Sequence, residues 1–508
     1  MRANSAVAVW QELTVSHRPT TLARGLDRLL SKGALLKRGR QLKTSRMSEK
    51  KKLVTIEVPE SWAGPMKKFL ESVEASTPDT SGGRAVDFGA FERAVEKSAG
   101  ELEKEAHRGL LQDLDIDAQQ LRIRGKLHTR VGRYEGTYKA KTGEVRVMRS
   151  LYRENGVRNG KTVDPVSLRA GVIEEGWLPS TAQAIAFLLQ QSPSREAVKA
   201  AEQLGRLPYS RSTFERVGHA VGALYDVVHA EVEDELIEQY QLPPEARSVT
   251  VGVDRVAVPM EEPAGESVVR NFRMAYVGTV TLNDGAGEAL HTIRYGRMPA
   301  GDADALCQGL HADVIALLRK QPKLKVQSLV DGAAEMHALT AKALNEDTLP
   351  KRPFELVDFC HLVQKLSPAA EAIHGERGAE VLARWKLQLL NDEGTVWAIV
   401  TALRAADTDS MSAEATTAVH EAISYLENNG ERMNYAEARR QGLPIGSGPT
   451  EATCKNLFEV RFRRCGSRWH DESGTHVVQL RALALSDRWD AGIALTLKTL
   501  RAPVRLAS

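Results

Sequence analysis

The spacing of apolar and polar positions changes several times along the chain, and each change marks an element. Residues 65–120 are polar with helical spacing, and LQDLDIDAQQLRIRGKL reads as a helix end running into a strand. YEGTYKA and EVRVMRSLYRE then alternate like the arms of a β-hairpin around Lys141–Gly143. Residues 178–241 return to helical spacing. PSREAVKAAEQLG predicts one helix ended by Gly205, and RSTFERVGHAVGALYD predicts the next, with Ser210 as its N-cap. Two helices across a short Gly-containing turn have helix-turn-helix spacing. In that motif the second helix lies in the major groove, which would make Arg211, Ser212 and Arg216 its exposed DNA-facing residues. Two packed helices of ordinary architecture fit the same pattern.

A proline-bearing boundary at 243–250 separates these helices from strands. VTVGVDRVAVP, FRMAYVGTVTL and EALHTIRYG predict three strands, followed by a helix over Asp302–Lys320. KVQSLVDGAAEMH is a buried strand breaking at Asp331 into a helix, and FELVDFCHLVQKL repeats that step. Residues 361–433 are almost continuously helical, with Trp385 and Trp397 as expected core anchors. GLPIGSGPTEATCKNLFEVRFRRCGSRWH then gives a Gly-rich turn leading into a helix that carries Glu451. Strand-strand-strand-helix-strand-helix-strand is the order of an RNase H-like fold. The expected fold class is therefore multidomain α/β: an RNase H-like mixed sheet with an α-helical insertion, behind a mainly helical N-terminal half with a helix-turn-helix.

The expected divisions are 1–52, a basic tail or partial winged-helix-like segment; 53–177, helices and a basic hairpin; and 178–242, the helix-turn-helix region. Then come 243–360, the first part of the core; 361–440, the helical insertion; and 441–508, the second part of the core with the Glu451 helix and C-terminal helices. Met47, which opens MSEKKKLVTIEVPESW, offers an alternative start.

Charge changes this picture. The 508 residues carry a net +3, but residues 1–52 hold thirteen Lys/Arg against three Asp/Glu. The rest is net acidic, so any contact with DNA must run through local basic patches. One such patch is Leu121–Lys161, with twelve Lys/Arg against three acids. Its hairpin face either lies along phosphates or is simply solvated. The four cysteines, Cys307, Cys360, Cys454 and Cys465, form no C-x-x-C pair. They predict neither zinc ribbon nor disulfide framework, but reduced thiols in the cytoplasm. No apolar run is long enough to span a membrane, and no secretory pattern opens the chain.

The chemistry gathers on three acids. Asp254 is the only acid in its strand, flanked by valines and Gly252, and Asp331 stands at the apolar strand end SLV-Asp-Gly-Ala-Ala. An ionised carboxylate in such a place is costly unless capped, paired or bound to a cation. Glu451 sits just inside a helix after GSGPT, where Ser447 or Thr450 can cap. Singly, an acid at a strand end is more often a cap than a ligand. Together, three carboxylates can hold two Mg²⁺ ions that activate a water or a 3′-hydroxyl and stabilise the leaving oxygen.

VGVDRVAVP, SLVDGAAEMH, ELVDFCHLVQKL and GLPIGSGPTEATCKNLFEVRFRRCGSRWH together resemble the ISKra-type insertion-sequence transposases of bacteria, over roughly residues 190–490. The last segment is the most specific: a G-S-G-x-x-E turn, a Lys four residues on, and an Arg-rich stretch ending in Arg-Trp. The resemblance implies a DDE transposase with Asp254, Asp331 and Glu451 as metal-binding catalytic acids. It implies Mg²⁺, with Mn²⁺ able to substitute, and double-stranded DNA as partner, both terminal inverted repeats and target. It also implies a homodimer or higher oligomer, with no membrane. Asp358-x-x-His361 looks like the auxiliary pair of related enzymes, although His361 also fits a hydrogen-bonded core histidine. Cysteine pairs common in the family's N-terminal half are absent, so no zinc is expected. Lys455, Arg461, Arg463, Arg464 and Arg468 follow Glu451 as candidate phosphate contacts. Arg461, Arg464 and Arg468 share one face if the helix persists past Gly466. Trp469 fills the core or stacks on a base. The rival reading is a catalytically silent, domesticated transposase that only binds DNA.

Overall fold

The computed structural model describes residues 60–80, 83–264, 267–301 and 303–507. The basic segment expected at 1–52, with the alternative start at Met47, lies outside the described residues. Val58–Ser508 form one compact unit.

Helices α1 (Glu60–Ser76) and α2 (Phe88–Asp113) come first. Strands β1 (Gln120–Ile123), β2 (Lys126–Ala140) and β3 (Gly143–Glu154) follow, and Ala140 pairs with Gly143 across the expected turn. Part of the basic face is neutralised by ion pairs. Lys126, Arg130, Arg133, Arg146 and Arg149 face Glu154, Asp117, Asp115, Glu135 and Asp164 in that order. Helices α3 (Pro165–Ala170), α4 (Pro179–Gln191), α5 (Ser194–Gln203) and α6 (Arg211–Gln239) come next.

Ser210 caps α6 as expected, accepting from the Thr213 backbone N–H. The helix runs well past Asp226, however. Phe214, Val217, Val221 and Tyr225 bury one face against α4 and the C-terminal helices, making it a scaffold for the whole unit. Gly205 takes φ +62°, a left-handed value that a side chain would strain.

The second sheet holds β4 (Ser248–Ala264), β5 (Ser267–Asn283), β6 (Ala289–Arg297), β7 (Lys325–Val330) and β8 (Phe354–Val357). Helices α7 (Ala303–Lys320) and α8 (Ala334–Ala343) connect them. The order is β6-β5-β4-β7-β8, with β6-β5-β4 antiparallel and β4-β7-β8 parallel. Val249, Val251 and Val253 face α7. The alternate positions of β4 face the other way, and Val256, Val258 and Met260 of that series pack against the C-terminal helices. β4 and β5 are longer than the sequence predicts. β7 leaves β4 after Val251; beyond that point β4 pairs with β5 on one side and carries a parallel bridge from Met260 to Trp469 on the other. At that edge Pro259 contributes only its C=O, which accepts from the Trp469 N–H, so its missing N–H breaks no ladder.

Helices α9 (Phe359–His374), α10 (Gly378–Asn391), α11 (Thr395–Arg404), α12 (Ala413–Asn429) and α13 (Tyr435–Arg440) form a helical block between β8 and the C-terminal helices, with their own core on Leu356 and Val357. Trp385 is buried in it as expected. Trp397 is not: it is 43% exposed, because the buried side of its short helix is taken by Val396, Ile399, Val400 and Leu403. The chain ends with α14 (Gly448–Thr453), a π-helical turn over Cys454–Glu459, α15 (Val460–Phe462), α16 (Asp471–Leu485), α17 (Trp489–Lys498) and β9 (Val504–Leu506). β9 pairs with β1, closing a sheet of order β3-β2-β1-β9. Among the described residues, no helix is long and apolar enough to cross a membrane.

Candidate active site

The β4–β7 ladder pairs Val251 with Ser328, and the β7–β8 ladder pairs Val330 with Val357. Carried on in register, Asp254 falls level with Asp331, and Asp331 with Asp358. All three leave the sheet on one face, because the side-chain period along a strand is two. Asp331 and Asp358 thus stand just past the carboxyl ends of β7 and β8, where open α/β sheets hold their ligands, while Asp254 lies within β4, which runs on to Ala264.

Glu451 reaches these acids from α14. An added Cβ on Gly252 would meet Thr450 Oγ1 at 2.1 Å and Thr279 Oγ1 at 2.9 Å, so only glycine lets α14 lie this close to β4. Thr450 and Thr279 hydroxyls bond at 2.9 Å across that contact. Neither expected hydroxyl caps the helix. Ser447 is the N-cap by position, but its hydroxyl donates to Glu451 Oε1 at 3.4 Å, and Thr450 is spent on Thr279.

Asp358 is fully buried and its carboxylate is occupied. Oδ1 accepts from the His361 backbone N–H at 2.7 Å and meets His361 Nδ1 at 3.1 Å, while Oδ2 accepts from the Ser447 N–H. Burial pushes its pKa up, but the donors from His361 and Ser447 outweigh that and hold it at about 2. One side chain therefore caps α9, orients His361 and anchors the turn that delivers Glu451. The hydrogen bond to Asp358 raises the His361 pKa against partial desolvation. The charges of Asp358, Asp331 and Glu451 add to the rise, so all three acids act on this imidazole.

Asp331 Oδ1 accepts from the Ala333 N–H at 3.0 Å, and Tyr425 donates to the Asp331 carbonyl at 2.8 Å. Gly332 at φ +87° gives the Tyr425 ring room. Asp254 Oδ2 accepts from the Cys454 thiol at 3.2 Å. Burial, then the Asp254 charge, pushes that thiol far up, so it stays protonated and donates. Among the described residues, the group of His, Cys, Asp or Glu ligand atoms lying within 4.8 Å of one another is Asp358, His361 and Glu451. Asp254 and Asp331 stand outside it, and the β4–β7 ladder itself ends at Val251 and Ser328, three residues before them. Cys454 and Tyr425 escaped the sequence reading. Cys454 could have been found, being three residues past Glu451 on one helix face. Tyr425 carries no local signal.

The predicted cation set divides. Arg461, Arg464 and Arg468 do not share a helical face. α15 ends at Phe462, one residue past Arg461, so Arg464 and Arg468 stand in the loop beyond it. Arg461 turns inward: it is 6% exposed, lies over the Trp469 ring at 4.9 Å, and donates to the Leu189 carbonyl at 3.1 Å. Burial, then the charges of Arg481 and Arg464, lower its pKa to about 10. Arg461 is thus no surface clamp. Trp469 packs on Phe462 in the core, with centroids 4.3 Å apart. Lys455, Arg463, Arg464 and Arg468 are exposed; Arg463 pairs with Glu459 at 3.2 Å and Arg464 with Glu196 at 2.8 Å. At the start of α6, Arg211 pairs with Glu215 at 3.1 Å, Arg216 pairs with Glu175, and Ser212 is exposed.

Comparison with known proteins places no name on this site. No protein-family model matches the chain, and no curated protein matches it. Among solved structures, a Drosophila P element transposase strand transfer complex matches over 60% of this chain and 79% of that one. The identity is 15% and the TM-score 0.23, a likeness too small to bear on fold or function.

Proposed function

We propose that the protein is a divalent-metal-dependent enzyme of the DDE type that cuts and joins DNA, built on an RNase H-like sheet. Two antiparallel neighbours followed by two parallel ones around β4 support the fold reading. The observation that carries the reading is the Glu451 helix seated over β4 by Gly252, with Glu451 gathered beside Asp358 and His361, and with Asp254 and Asp331 on or just past neighbouring parallel strands.

The donors suit a hard cation such as Mg²⁺: Asp254, Asp331 and Glu451 offer oxygens only. Among the described residues, Asp331 Oδ2 and Glu451 Oε2 have no hydrogen-bond partner, so those oxygens are free to bind one. When bound, such an ion polarises the phosphodiester and lowers the pKa of a bound water. Asp358 is a positioning residue in this reading, not a ligand. His361, held through Nδ1, keeps Nε2 free, and its raised pKa favours an imidazolium that can donate to a phosphate oxygen. Water hydrolyses one strand at an element end and leaves a 3′-hydroxyl. That hydroxyl then displaces a 3′ oxygen in target DNA. The partners are terminal inverted repeats and target duplex, and a synapse of two ends calls for at least a dimer.

The test is cleavage of end-labelled duplex carrying the repeats that flank the coding locus, with Mg²⁺ or Mn²⁺. Asp331→Asn is expected to cut at least about 100-fold more slowly, because the ion supplies several kcal/mol of charge stabilisation. Undiminished cutting by both Asp331→Asn and Glu451→Gln would sink the reading. A wild type that binds the repeats but never cuts would instead favour the silent DNA-binding protein.

A further inference from the structure

We propose that a pocket between the start of α6 and the loop after α15 binds a phosphate group, supplied by a DNA backbone or by a free phosphorylated molecule. The DNA source rests on the function proposed above; the phosphate site does not. The pocket has a volume of about 530 Å³, and Arg211, His219, Arg461, Arg464 and Arg468 line it with Glu215 as the one acid. This is enough room for a phosphate and its attached sugar.

The charges do not balance. Glu215 is held by Arg211 and by the Ser194 hydroxyl, and Arg464 by Glu196. Arg461 and Arg468 have no carboxylate within ion-pair distance among the described residues. Arg461 is the telling one. It is buried, its Nε has no hydrogen-bond partner, and its other contacts are one carbonyl and one indole face. A guanidinium taken out of water without a counter-ion is costly. The neighbouring Arg464 and Arg481 charges add repulsion. An anion in the pocket relieves both, and a phosphate matches the planar guanidinium fork. Burial, then the His476 charge, lowers the His219 pKa, so a neutral His219 offers one N–H donor and no charge. Arg468, exposed in the loop, offers the accessible cation.

The experiment is done in EDTA, so that no metal chemistry enters. A short fluorescein-labelled duplex is titrated by polarisation across a salt series, with wild type, Arg468→Ala and Arg461→Met. Inorganic phosphate is titrated separately by calorimetry. Arg468→Ala is expected to weaken DNA binding roughly 3- to 10-fold at low salt and to flatten the log–log salt slope by about 0.7–0.9, one phosphate contact. Inorganic phosphate should compete where chloride of equal ionic strength does not. Phosphate binding that Arg468→Ala abolishes without changing DNA affinity keeps the site and assigns it to a free phosphorylated molecule. The proposal is overturned if Arg468→Ala leaves DNA affinity, salt slope and phosphate binding unchanged. Arg461→Met is included only if it melts cooperatively; the exposed Arg468 keeps the test decisive if it does not. Loss of cutting in Asp331→Asn with phosphate binding intact would separate this site from the fate of the acidic site.

Discussion

At the residue scale, the Asp358–His361 pair ties the helical block to the turn before Glu451. Its two charges have opposite linkage signs. The Asp358 pKa of about 2 lies below the unfolded carboxylate value, so its stabilisation is complete above about pH 4 and is lost as pH falls towards 2. The His361 pKa lies above its unfolded value of about 6.5. Its stabilisation is complete below that value and is lost as pH rises through the folded one. The pair is strongest between about pH 4 and 6.5. Asp358→Asn keeps the shape but sets an amide N–H₂ against backbone donors. A loss of about 2 kcal/mol is expected by urea unfolding, together with a flattened stability profile on the acid side. Wild-type stability that does not fall between pH 4 and 2 would refute this account of Asp358. Asp254 tests the thiol: Cys454→Val removes its donor while keeping apolar bulk, and catalysis should fall by more than folding stability does.

At the element scale, the decisive contact is α14 on β4. Gly252→Val would drive Cβ into Thr450 and Thr279, costing about 1–3 kcal/mol by overpacking and lifting Glu451 from its place. Thermal melts and Mg²⁺-dependent cleavage should both decline; a variant with wild-type melting and cutting would show that α14 has slack. The strands and helices here were legible because their apolar periods are long and regular. The lengths of β4 and β5 were not, since Pro259 reads as a stop unless one knows that β7 has already left that edge. Nor were the π turn, which no residue pattern announces, and the early end of α15 at Phe462, which removed the shared face expected of Arg461, Arg464 and Arg468.

At the scale of the whole molecule, the C-terminal strand β9 is stitched to the early strand β1. β9 completes the sheet begun by β1, and Val504 packs on the cluster of Leu121, Ile123 and Tyr152. Removing residues 504–508 strips cover from that cluster and bares the β1 edge. A loss of about 1 kcal/mol or more is expected in denaturant unfolding, with a rise in self-association by light scattering. An unchanged unfolding midpoint would mean that β9 is ornamental. α6 likewise joins regions that the sequence divides at 243, because its buried face is shared by α4, α16 and α17.

The sequence by itself determined which acids are candidates for the chemistry and, for most segments, whether they are strand or helix. Acids stranded in apolar runs, glycines before a Glu, and periods of two or three to four are local facts. Only the tertiary structure decided which acids stand level, which carboxylate is used up as a backbone acceptor, and which arginine turns inward. Those depend on strand register, on where a ladder ends and on the phase of a helix. They are set by contacts between residues hundreds of positions apart, for which no short window of sequence holds the information.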